Sequence, residues 1–138
     1  MTNNDNGRIM VIDDDAAFTL SVKRMLERQG YTVAIHDGGP GCCNEVDRFG
    51  PDLVLVDVIM PFLAGDAFVG LFKPRPGMTN ATIVLYSGIN DAALKKKVLE
   101  CGAHGHIPKN DSPIDFSRKV AAYIQMSRKK NGEAAPLK

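Results

Sequence analysis

The chain has 138 residues, 44% apolar and 24% charged, and its 17 basic and 16 acidic side chains leave a net charge of +1. That length suits one domain with a single core, and the balanced charge excludes a surface built to coat a polyanion. No run approaches the roughly eighteen apolar residues of a membrane span, and the opening MTNNDNGRIM has no signal-like stretch. Cys42, Cys43 and Cys101 cannot all pair, and two of them are adjacent. They read as reduced thiols in small apolar sites, and the protein as cytoplasmic.

In chain order, residues 1–7 are polar and expected to be disordered. Ile9–Ile12 is an apolar run without alternation, the mark of a strand covered on both faces, and it ends at Asp13-Asp14-Asp15. Phe18, Val22, Met25 and Leu26 then form a helical stripe that stops at Gly30. Thr32–Ile35 is a second strand, and a helix is placed over Pro40–Phe49, with Gly39, Pro40 and Gly41 at its start. Leu53–Val56 is a third strand, again apolar throughout, and is followed by Asp57. Phe68, Val69 and Phe72 mark a short helix stopped by Lys73-Pro74. Thr82–Tyr86, the fourth strand, leads to Ser87; Leu94, Val98 and Cys101 make a fourth helix closed by Gly102. Gly105–Ile107 is the fifth strand, with Lys109 just past it. Ser112-Pro113 caps a fifth helix carrying Phe116, Val120 and Ile124 inward, and Arg128-Lys129-Lys130 sit where its dipole favours cations. Residues 8–130 are read as the domain and 131–138 as a flexible tail.

Five strand–helix alternations predict an α/β protein, a doubly wound parallel sheet of flavodoxin-like order 2-1-3-4-5 with five helices. In such sheets ligands sit outside the carboxyl ends of the strands near the switch point. Those ends carry Asp13, Asp14 and Asp15, then Asp57, Ser87 and Lys109. Close carboxylates repel unless a cation lies among them, and oxygen-only ligands favour Mg²⁺. An amine and a hydroxyl beside them suit the stabilisation of a phosphoryl group on a carboxylate.

Asp13-Asp14 after the first strand, Asp57 in DVIMPFLAG, Ser87 in LYSG and Lys109 in GAHGHIPK together resemble the receiver domain of two-component response regulators, over about residues 7–128. The resemblance implies a phosphorelay protein, not an enzyme, in which Asp57 accepts a phosphoryl group from the phosphohistidine of a histidine kinase. It implies Mg²⁺ held by Asp14, Asp57 and the main-chain carbonyl of Ile59, with Asp13 acting through water. Ser87 and Lys109 hold the phosphoryl oxygens. Ser87 and the side chain at position 106 form the switch, and the output is read by a protein partner on the face of the fourth helix, fifth strand and fifth helix. The family has an aromatic residue where this chain has His106, and a Pro after Lys109 where this chain has Asn110. Ile59 and Ile89 stand where the family often has polar residues near the attacking water, so slow loss of the phosphoryl group is expected. The reading is a stand-alone receiver with no output domain in these residues, without direct contact to nucleic acid or membrane.

Two rivals use the same residues. Asp13-x-Asp15 after an apolar strand also satisfies the opening of a haloacid-dehalogenase-type phosphatase, with Asp13 as nucleophile and Asp15 as general acid. The chain is short for that fold, and Ser87-Gly88 stands where its acidic pair belongs. The other is a receiver-shaped binding module that is never phosphorylated. In blander terms, one Asp of the three caps the next helix, Ser87-Gly88 is a turn, Lys95-Lys96-Lys97 is a solvated helix face, and His104 is structural or at the surface.

Overall fold

A computed structural model describes residues 6–57 and 81–130. In chain order these form β1 (Arg8–Ile12), α1 (Ala16–Arg28), β2 (Thr32–His36), α2 (Cys42–Phe49), β3 (Leu53–Val56), β4 (Thr82–Ser87), α3 (Asp91–Cys101), β5 (Gly105–Pro108) and α4 (Pro113–Lys130). The helix expected around Phe68–Phe72 lies outside the described residues, so α3 and α4 are the fourth and fifth helices of the sequence reading.

All four strand pairings are parallel, and the sheet order is β2-β1-β3-β4-β5, as the alternation of elements predicts. The chain winds outward one way from β1 to β2, then crosses back to build β3, β4 and β5 on the other side. The switch point therefore falls between β1 and β3, whose register pairs Ile12 with Val56 at the carboxyl end.

The three central strands, β1, β3 and β4, present alternate residues to two separate cores. Ile9, Val11, Leu53, Leu55, Val84 and Tyr86 meet Val22 and Leu26 of α1 and Phe116, Val120 and Ile124 of α4. Met10, Ile12, Val54, Val56, Ile83 and Leu85 meet Cys42 and Val46 of α2 and Leu94 of α3. Two-sided burial explains why β1 and β3 read as unbroken apolar runs. Each fully buried Ile, Leu or Val contributes about 1.5–3 kcal/mol, so both layers hold the sheet.

Helix ends follow local chemistry. Asp15 caps α1 by accepting from the Phe18 amide at 3.0 Å, Asn90 caps α3 by accepting from Ala93 at 2.8 Å, and the Ser112 hydroxyl accepts from Asp115 at 3.1 Å. Helix α2 starts two residues later than the sequence pattern places it. Its cap, Gly41, has φ 85°, a left-handed conformation that keeps Pro40 and Gly41 out of the helix. The three thiols form no disulfide; Cys42 is buried, Cys43 and Cys101 half-buried. His104 is structural, its Nδ1 accepting from the Ile83 amide at 3.0 Å. Among the described residues no helix is long and apolar enough to cross a membrane.

Candidate functional site

Three residues are fixed at the carboxyl rim by extending the sheet ladder one step. The amide of Asp13 donates to the carbonyl of His36 at 3.0 Å, that of Asp57 to Ile12 at 3.0 Å, and that of Lys109 to Ser87 at 2.9 Å. Each partner is the last or near-last residue of the neighbouring strand, so the backbone of the site is continuous with the core.

Their side chains converge. Lys109 Nζ lies 2.6 Å from Asp13 Oδ2 and 2.9 Å from Asp57 Oδ2. Both carboxylates are almost fully buried, at 4% and 6% exposure. The other oxygen of Asp13 accepts from the Asp15 amide at 3.0 Å. Burial pushes the Asp13 carboxyl above its ordinary value and outweighs the lowering by Lys109 and the Asp15 amide. Burial pulls the other way on Lys109, but its bonds to Asp13 and Asp57 prevail and its pKa is raised. One ammonium thus bonds both carboxylates, and for Asp13 it does not fully offset the burial.

The other site residues expected from the sequence are placed less uniformly. Asp14 is exposed and lines a cavity of about 320 Å³ with Asp13, Ala16, Thr19, Ile35, His36 and Asp37. Asp15 is the cap of α1, the one acidic residue of the three spent on that role. Ser87 is fully buried, its Oγ accepting a long 3.5 Å bond from the Ile89 amide. Ile89 packs against the core cluster that holds Leu94. Ile59 lies outside the described residues, and with it half of the expected hindrance to water. Lys109 reaches the rim although Asn110, not Pro, follows it, and among the described residues the peptide bonds are all trans.

The candidate ligands at this rim, Asp13, Asp14 and Asp57, offer carboxylate oxygens, which suit a hard cation such as Mg²⁺. Among the described residues no three His, Cys, Asp or Glu side chains gather closely enough to hold a metal by themselves. A metal that keeps several waters and borrows a main-chain carbonyl does not need three.

His106 is half-buried on β5, and its Nε2 lies 3.1 Å from Oδ1 of Asp91 at the start of α3. Asp91 Oδ2 is 3.2 Å from Lys95 Nζ. Hydrogen bonds from Lys95 and then His106 hold the Asp91 carboxyl below its ordinary value. On the same face, His106, Lys119, Ala122, Tyr123 and Met126 line a cavity of about 420 Å³. Nothing in the sequence pattern announces the Asp91–His106 contact, which joins residues fifteen apart on different elements.

The sequence matches the response regulator receiver domain over residues 9–121. The chain belongs to that family. The chemotaxis protein CheY of Thermotoga maritima is 29% identical over 123 residues, 88% of this chain and 98% of that protein. The phosphate regulon transcriptional regulatory protein PhoB of Klebsiella pneumoniae is 25% identical over 118 residues, 86% of this chain and 52% of PhoB. The chain spans about half the length of the first curated relatives it matches. A CheY-like receiver domain protein from Methanospirillum hungatei JF-1 superposes with a TM-score of 0.73 at 27% identity, covering 89% of this chain and 97% of that one. Neither rival drawn from the sequence has support in these likenesses.

Proposed function

We propose that this receiver domain, residues 8–130, is a phosphoacceptor switch in a phosphorelay, with Asp57 as the acceptor. One observation carries the reading: Lys109 from the end of β5 bonds both Asp13 and Asp57, at the switch point of the sheet. An oxygen of the Asp57 carboxylate attacks the phosphorus of a kinase phosphohistidine, the phosphorus–nitrogen bond breaks, and the imidazole leaves with that electron pair. The product is an aspartyl phosphate.

Positioning and charge neutralisation do most of the work in such a transfer. Lys109 stays within reach of the incoming phosphoryl oxygens, and the Ser87 hydroxyl donates to another. Asp14 and Asp57 with the Ile59 carbonyl would hold Mg²⁺, Asp13 joining through water; the ion supplies countercharge. The domain assists its own phosphorylation and is not otherwise an enzyme. Its partners are a histidine kinase and a downstream protein docking on the α3–β5–α4 face, in the cytoplasm.

Incubation with Mg²⁺ and acetyl phosphate, followed by mass spectrometry of the labelled peptide, tests this. Label on Asp57, lost in Asp57→Asn, is expected. Label on Asp13 instead would indicate the phosphatase chemistry, and no label the unphosphorylated binding module.

A further inference from the structure

The Lys109 ammonium has a third neighbour. Its Nζ stands 4.5 Å from the centroid of the Phe18 ring. Phe18 lies in the first turn of α1, its amide tied to Asp15. Its ring leans on Tyr86 at 5.6 Å and 41°, and Tyr86 stacks on Phe116 at 5.0 Å and 22°. Rings from α1, β4 and α4 thus form a row behind the ammonium. Tyr86 and Phe116 are buried, so the row is anchored in the core, and only Phe18 reaches the rim. In the sequence Phe18 reads as one more member of the apolar stripe of α1; its packing on Tyr86 gives its ring face another use.

We infer that Phe18 is a positioning residue for Lys109, holding its ammonium over the rim when Asp13 and Asp57 can no longer do so alone. The inference rests on the phosphoacceptor reading. A lysine stem is long and flexible, and its ammonium is a compact charge without a fixed geometry. In the resting site two carboxylates pin it. Once Asp57 carries a phosphoryl group, or a metal draws on the same oxygens, those two contacts are redistributed. The attraction of a cation to a ring face does not depend on either carboxylate. Phe18 therefore keeps the ammonium at the site through the change, where it can follow the negative charge from carboxylate to phosphoryl oxygen. The rigid stack behind Phe18 gives that contact a fixed location, which a lone flexible side chain would lack.

The test is a double-mutant cycle on the whole chain, using Phe18→Leu, Lys109→Met and the pair. Urea unfolding of the metal-free protein is expected to show Phe18→Leu costing less when Lys109 is already gone. Strictly additive losses would overturn the inference, because a purely structural ring would cost the same in both backgrounds. The second readout is the rate of labelling by acetyl phosphate at saturating Mg²⁺. Phe18→Leu is expected to slow it about three- to tenfold, the range of a partly desolvated cation–π contact, and Phe18→Tyr to restore it to within about twofold. A wild-type rate in Phe18→Leu, or a Phe18→Tyr as slow as Phe18→Leu, would count against it. Phe18→Met, made in parallel, keeps the bulk without the ring should the leucine variant not fold. The cycle is read without phosphorylation, so the two readings fail separately. A wild-type chain that takes no label on Asp57 sinks the phosphoacceptor reading, and the cycle still decides on Phe18.

Discussion

Two clusters on the sheet pair carboxylates with cations, and one carboxylate of each, Asp13 and Asp91, responds oppositely. At the β1/β3 rim, Asp13 has an ammonium at 2.6 Å and its pKa is nevertheless raised, because burial is the larger effect. At the β5/α3 edge, Asp91 is more than half exposed, has Lys95 and His106 at 3.2 and 3.1 Å, and its pKa is lowered. A nearby cation therefore does not by itself decide the fate of a carboxylate, because burial can outweigh it. The buried cluster is held together under tension between desolvation and attraction, which leaves it open to a stronger cation. The exposed cluster is a solvated clasp that costs and contributes little.

The largest effect is expected from breaking the buried cluster. Lys109→Met leaves Asp13 and Asp57 facing one another without their ammonium. Removing one partner of a fully buried pair costs roughly 3–5 kcal/mol, and the partial exposure of Lys109 brings the expectation down to about 2 kcal/mol. Urea unfolding in chelator at pH 7 measures it, and the deficit should shrink as acid protonates the Asp13 carboxyl, whose pKa burial raises. In the wild type the raised pKa of Lys109 means that the pair's stabilisation is complete below its ordinary 10.5 and is lost only as pH climbs through the raised value.

A smaller effect of opposite sign is expected from Asp13→Asn. Because the folded pKa of Asp13 lies above the ordinary 3.8, the folded protein binds that proton more tightly than the unfolded chain. Its ionisation therefore removes stability as pH rises from 3.8 through the raised value. The asparagine variant, free of that loss, should melt about 2–4 °C higher at neutral pH without metal, as roughly 1 kcal/mol does at this size. Its melting temperature should also be flatter across the acid range. A variant that melts lower would mean that the Lys109 bond outweighs the burial.

The exposed cluster should show itself in switching before it shows in stability. The contact with Asp91 holds the His106 ring at 3.1 Å and opposes any inward turn into apolar space. Asp91→Ala, which removes it, should therefore raise the activated signals of β5 and α3 amides a few-fold at equal phosphorylation, as followed by NMR; equal signals in the two proteins would discard the idea. Smallest of all, Asp91→Asn should leave the melting temperature at pH 7 unchanged within error. The lowered pKa of Asp91 confines its stabilising contribution to pH above its ordinary 3.8, fading as pH drops through the lower folded value. A clear drop at neutral pH would show that the clasp is more than solvated surface.

The legible parts of this molecule are those in which one residue's neighbours in sequence decide its role. Leu53–Val56 is a strand because both its faces are covered, and its bounds read directly from the apolar run. The convergence of Asp13, Asp57 and Lys109 follows from strand order plus what stands after each strand. Three acidic residues in a row were harder. Charge alone does not say that Asp15 turns to the helix and Asp13 to the lysine, since that depends on where α1 begins. The Phe18–Lys109 and Asp91–His106 contacts were not legible. Helical spacing identifies the inner face of α1 but not which ring ends at the rim, and no periodicity links α3 to β5.

The ladder that ties the amides of Asp13, Asp57 and Lys109 to His36, Ile12 and Ser87 sets a division of timescales. These protons lie beside the most buried strands, so their exchange with deuterium should require opening of the sheet itself, at free energies near those of global unfolding. Such openings are far too infrequent to transmit a signal. The side-chain torsions of Lys109, Ser87 and His106 can respond faster, on the scale of nanoseconds to microseconds. The backbone at Asp13, Asp57 and Lys109 is then a fixed frame over which side chains turn.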